Sequence, residues 1–133
     1  NKEIKSTFDF IDLLSKSRVN FGSSKINFAT KPFQAIRIEA NKELENLSEF
    51  LSKINNYLNS NALIFIISFQ SLEDRIVKNS FKINSIKKNS SFQDGQSWGY
   101  EILTKRPITA SKEELSRNPR SRSAKLRIAK FKC

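Results

Sequence analysis

The chain has 133 residues, enough for one modest domain, with 24 Lys and Arg against 13 Asp and Glu, a net +11. That balance suits nucleic acid, an anionic membrane surface or an acidic protein partner, and a genome that writes Lys and Asn often supplies part of it. With no histidine and the single cysteine Cys133, a zinc centre is not expected, an internal disulfide is excluded, and no apolar run approaches the roughly 20 residues that span a bilayer.

The expected setting is a soluble, reducing compartment: the cytoplasm, with an organelle matrix or stroma as the alternative. There is no methionine, even at the first position, so the chain reads either as a processed product or as a piece of something longer. The charge is uneven. From Glu101 to Cys133 ten basic residues face three acids, a net +7, and most of the arginines lie there. Arginine's fork of donors matches phosphate, and codon bias explains lysine excess more easily than clustered arginine.

Residues 7–16, TFDFIDLLSK, read as a helix that Thr7 caps, with Phe10, Ile11 and Leu14 on one face. Residues 17–32 read as a loop punctuated by Gly22 and Pro32. From Phe33 to Leu58, Ile36, Ala40, Leu44, Leu47, Leu51, Ile54 and Leu58 recur at spacings of four and three, which predicts one long helix ended by Asn59-Ser60-Asn61. Ala62 to Phe69 is apolar on both faces. It is expected as a strand buried on both faces in the middle of a parallel sheet.

Leu72 to Phe81 predicts a helix with Leu72, Ile76 and Phe81 inward, Ser68 or Ser71 near its start, and Glu73 and Asp74 in a first turn whose dipole favours acids. Residues 82–97 read as a polar surface loop. Residues 99–104 read as a strand, and residues 109–119 as a short helix capped by Thr109 or Ser111. A terminal strand follows, with Ala124, Leu126 and Ile128 alternating against Lys125, Arg127 and Ala129. The 99–104 and terminal strands are expected to pair as an antiparallel hairpin. The fold class is α/β. A doubly apolar strand with few neighbours makes the chain look like the second part of an open sheet.

In open α/β sheets ligands sit beyond the carboxyl ends of strands, where Ser68, Gln70, Ser71, Glu73, Asp74 and Arg75 fall. An ordinary strand–helix junction with capping Ser and Asp is the competing reading. So is an ion pair of Arg75 with an acid on a neighbouring helix, Glu39 for example. The segment NPRSRSAKLR sets Arg120 and Arg122 after an Asn118-Pro119 turn. That suits a phosphate grip, to which Lys105 and Arg106 add, or else it is a solvated charge run.

FQAIRIEANKELENL, ISFQSLEDRIVK and LTKRPITASKEELSRNPRSRSAKLRIA, in that order, resemble the bacterial 16S ribosomal RNA cytosine N4-methyltransferases of the MraW or RsmH type, which have mitochondrial and plastid relatives. The resemblance covers nearly the whole chain. It implies the C-terminal portion, roughly the last two fifths, of a Rossmann-like S-adenosylmethionine-dependent methyltransferase. Residues 1–32 would then be the end of a helical insertion and linker. Residues 33–133 would be the C-terminal part of the methyltransferase domain, with the cofactor-binding part upstream.

The implied chemistry is in-line transfer of the methyl group of S-adenosyl-L-methionine to the exocyclic amine of a flipped-out cytosine in 16S-type ribosomal RNA or the small subunit. Ser68, Gln70 and Asn41 would hydrogen-bond the base edge, Asp74 would be a catalytic carboxylate, and Arg37, Lys105, Arg106, Arg120 and Arg122 would contact RNA. The family usually has histidine where this chain has Gln70, which keeps a donor and an acceptor but does not titrate near neutrality. It also has IHPAT where this chain has INFAT, with Asn27 and Phe28, and PGG where this chain has NSN. A glycine-rich cofactor loop is missing, since Gly22, Gly95 and Gly99 stand alone, so the chain by itself is expected to bind the cofactor poorly. Two other readings stand beside this one. One is a basic RNA-binding module without chemistry. The other is a split or degenerate product that needs a separate N-terminal half.

Overall fold

A computed structural model describes residues 3–17, 28–85 and 98–133. Most of the expected 17–32 loop, with Gly22 and Asn27, and most of the 82–97 stretch, with Gly95, lie outside the described residues. The chain divides into two compact units, Asn1–Glu43 and Leu44–Cys133. Among the described residues no helix is long and apolar enough to cross a membrane.

In the first unit, α1 spans Thr7–Lys16. Its cap is Ser6, one residue earlier than expected: the Ser6 hydroxyl accepts from the Asp9 amide at 3.1 Å, and the Asp9 carboxylate accepts from the Ser6 amide at 3.1 Å. This reciprocal pairing satisfies two otherwise orphaned donors. Phe10 of α1 meets Phe33 edge to face, with ring centroids 5.1 Å apart. Phe33 belongs to α2, Thr30–Ala40, which begins before the expected start and takes Pro32 into its first turn, where no amide donor is needed.

The single helix expected over Phe33–Leu58 is two helices, because the chain turns at Asn41 and Lys42. α2 ends at Ala40, α3 runs Glu43–Lys53, and a 3-10 turn covers Ile54–Tyr57. At the break the Asn41 amide donates to the Arg37 carbonyl at 3.0 Å and the Lys42 amide to that of Glu39 at 3.2 Å. Lys42 has φ 51°, the left-handed conformation that ends many helices and that glycine adopts without penalty. Lys42→Gly is expected to raise stability by up to about 1 kcal/mol, measured by chemical denaturation; a destabilised variant would rule out strain at this turn.

The second unit is a sheet with one face covered by helix. Its strands are β1 (Leu63–Ser68), β2 (Gly99–Ile102), β3 (Ile108–Thr109) and β4 (Lys125–Lys132). The order is β1-β4-β2, with β3 also on β4, and every pairing is antiparallel. The expected pairing of the 99–104 region with the terminal strand is present. Among the described residues β1 is an edge strand paired antiparallel, not the central parallel strand expected. Its one hydrogen-bonded neighbour among the described residues is β4. Only one face of β1 is covered: Ile64 and Ser68 are buried, while Leu63, Phe65 and Ile67 are 53, 59 and 60% exposed.

α4, Ser71–Ile83, lies on the covered face. Its inward residues are Asp74, Val77 and Phe81, whereas Leu72 is exposed. Val77 and Phe81 pack with Leu51, Ile64, Tyr100 and Phe131 in the core. Tyr100 is fully buried, donates its hydroxyl proton to the Asn55 side chain, and is pushed by burial up to about 12. The inward residues of β4 are Arg127, Ala129 and Phe131; Leu126 and Ile128, expected to alternate inward, lie half-buried in the other phase. α5, Lys112–Arg117, starts where Ser111 accepts from the Glu114 amide at 3.1 Å, as its sequence suggests.

Candidate functional site

The polar cluster after β1 divides by depth. Glu73, in the first turn of α4, accepts from the Phe69 and Gln70 amides at 3.0 and 3.1 Å and so caps the helix. Asp74, one position on, points inward. Its carboxylate accepts from Arg127 Nε at 2.7 Å and Nη2 at 3.1 Å, with Lys125 Nζ at 3.8 Å. The β1–β4 register sets this up, since it places Lys125 beside Ser68 and Arg127 beside Ile66. Hydrogen bonds from Arg127 hold the Asp74 carboxyl below the usual aspartate range, although burial pulls the other way. Ser68 is 4% exposed and lies on this same inner side. Gln70 is half-buried at the helix cap, and Phe69 and Arg75 are exposed.

On the opposite, open face of the sheet a groove of about 630 Å³ begins at the carboxyl end of β1. Ile67, Phe69 and Leu126 give it an apolar floor, and Glu114, Asn118 and Arg120 a polar rim. The rim is locally braced. A 3-10 turn over Pro119–Ser123 begins with proline, the Ser121 hydroxyl donates to the Asn118 carbonyl at 2.7 Å, and Asn118 Nδ2 donates to Glu114 at 3.2 Å. Arg120 and Arg122 project from this turn into solvent.

Lys105 and Arg106 are exposed in the turn after β2, which is anchored where the Thr104 hydroxyl oxygen accepts from the Ile128 amide at 2.9 Å. Lys105 does not join the Arg120 groove; it lines a cavity on the α4 side of the sheet. Arg37 and Asn41 belong to the first unit. There Arg37 is held by Glu43 at 2.9 Å through Nε and 3.1 Å through Nη2, and Asn41 donates to the same carboxylate at 3.2 Å. These hydrogen bonds, Arg37's foremost, lower the Glu43 pKa.

The residue that sequence reasoning missed is Arg127. A signal existed, because Asp74 falls in an apolar stripe with Val77 and Phe81 and a buried acid needs a cationic partner. That partner is 53 residues away in the chain.

Residues 1–132 match the model of the MraW methylase family, so the chain belongs to that family. Its helix-and-sheet architecture is that of a partial α/β methyltransferase fold. Among similar proteins, one named ribosomal RNA small subunit methyltransferase H from Petrotoga mobilis is 42% identical over 136 residues, which covers 98% of this chain and 42% of that protein. Proteins of the same name from Helicobacter pylori strain Shi470 and a Sulfurihydrogenibium species are each 48% identical, over 98 and 97% of this chain. The chain spans about two fifths of the length of the curated relatives it matches.

A methyltransferase family implies S-adenosylmethionine as the usual donor, and the described residues do not fit it. Their one glycine, Gly99, is buried in β2 opposite Lys132, where it forms no phosphate- or nucleoside-cradling turn. Glu73, the acid nearest the end of β1, is taken up in capping. No group of His, Cys, Asp and Glu able to hold a metal occurs among the described residues.

Proposed function

We propose that this chain is the RNA-facing C-terminal part of a cytoplasmic S-adenosylmethionine-dependent enzyme that methylates cytosine N4 in 16S-type ribosomal RNA. The cofactor would be held by an N-terminal portion that completes the sheet at the free edge and open face of β1. The observation that carries the reading is the groove at the carboxyl end of β1, in a chain of this family. Its apolar floor, with Phe69 exposed at one end, offers a stacking surface for an unstacked base, and Arg120 stands ready for the adjoining phosphate. Gln70 is half-buried where the chain leaves β1, and its amide supplies a donor and an acceptor for a base edge. Ser68 and Asp74 face the helix side instead and support this platform from beneath.

Disrupting the gene is expected to remove N4-methylcytidine from small-subunit ribosomal RNA, read by mass spectrometry of digested nucleosides. Complementation with the natural gene restores it. Complementation with Arg120→Ala slows methylation by about tenfold, the loss of one phosphate contact worth ~1.4 kcal/mol. Undiminished N4-methylcytidine in the disrupted strain would overturn the proposal. A second reading, a basic RNA-binding module without chemistry, draws on the lack of a cofactor cradle among the described residues. It requires that the disrupted strain lose RNA binding but no methylation.

A further inference from the structure

A second groove, of about 720 Å³, lies on the α4 side of the sheet. Lys78 and Lys82 come from α4, Lys105 from the turn after β2, and Phe81 and Ile102 form the apolar floor. Glu101 is the one acid in its lining. All three lysines are exposed, and none makes an ion pair within 4 Å among the described residues. Arg127 also lines the groove, with its charge already met by Asp74. The groove therefore presents an excess of positive charge over an apolar floor, the composition that holds a strand with phosphates on one side and bases on the other.

Lys78 and Lys82 are one helical turn apart, which sets their Cβ atoms about 5–6 Å from each other, comparable with the spacing of successive phosphates. The position also matters. The sheet order is β1-β4-β2, so this groove borders β2, at the opposite edge of the sheet from β1. A segment that completes the sheet at β1 leaves the groove open.

We infer that this α4–β2 groove is a second RNA site, which grips the backbone of a single-stranded segment through Lys78, Lys82 and Lys105, on the opposite face of the sheet from the Arg120 groove. The inference rests on the reading of RNA as the partner, and it adds a strand path that wraps around the sheet.

The test uses the natural full-length protein and a short fluorescein-labelled single-stranded RNA, followed by anisotropy across a salt series. The variant K78Q/K82Q/K105Q is expected to bind about tenfold more weakly. Its slope of log affinity on log salt should be shallower by about 2, at ~0.7 per phosphate contact for a single strand. The matching Lys→Arg triple variant retains binding, and Glu101→Gln tightens it. Equal affinity and slope in wild type and the Gln variant would overturn the groove while leaving RNA as the partner. Wild-type protein that fails to bind RNA would overturn both readings. Poly-glutamate that competes as well as RNA of equal charge would assign the groove to an acidic protein instead. Should the Gln triple variant fold poorly, Glu101→Gln alone decides, since unchanged affinity there denies the electrostatic role.

Discussion

Asp74→Ala is expected to destabilise the second unit by about 3–5 kcal/mol, because it leaves the Arg127 guanidinium buried without its counter-charge. Equilibrium urea unfolding reads this directly. Replacing both partners, with Asp74→Leu and Arg127→Met, is expected to recover most of the loss, since neither charge is then left alone in the core. A double variant as unstable as Asp74→Ala would show that the pair contributes shape rather than charge.

The same contact predicts a pH dependence. Arg127 lowers the Asp74 pKa in the folded chain, so between the folded value and the unfolded value near ~3.9 the unfolded state binds more protons. Stability from the pair is complete above the unfolded range and falls as pH drops through the folded pKa. The wild type should lose stability over that acid window, and Asp74→Ala should show a flatter profile there.

The second large effect concerns the open side of β1. Leu63, Phe65 and Ile67 form an apolar row beside an unpaired strand edge, a surface that invites association. The isolated chain is expected to self-associate at micromolar concentration in sedimentation velocity, whereas Phe65→Lys with Ile67→Lys sediments as a monomer. Both side chains are already more than half exposed, so their replacement costs the chain itself only about 0.5 kcal/mol. In the natural protein the same pair of changes is expected to abolish N4-methylation, because the cofactor-bearing portion can no longer seat. Full activity in that variant would sink the proposed completion of the sheet at β1.

What could be read from sequence was local. Ser111 before Lys112-Glu113-Glu114 announces a helix start, and Asn118-Pro119 announces a turn; both depend on chemistry within a few residues. The break at Asn41 and Lys42 was hidden, because the apolar stripe runs through it in phase and periodicity registers spacing rather than one left-handed residue. The inward face of β4 was hidden for a different reason. Leu126 and Ile128 look like core, and Arg127 does not, until Asp74 arrives from α4 to neutralise it. The apolarity of β1 reads as a demand for cover on two sides, of which the described residues supply one.

The Arg120 groove was partly legible and the α4–β2 groove not at all. Lys78 and Lys82 look like the solvated side of an ordinary helix until the turn after β2 brings Lys105 across from them.

The strand that comes last along this sequence sits in the middle of its sheet, and β1, β2 and β3 all pair with it rather than with one another. During synthesis, therefore, the side of β1 that pairs with β4 stays unmet until more than fifty further residues have followed, since its nearest pair joins Ser68 to Lys125. Contacts this distant close more slowly than the local contacts of the helices. For that interval β1 lacks its β4 neighbour, and a chaperone that holds nascent apolar strands is its natural first contact.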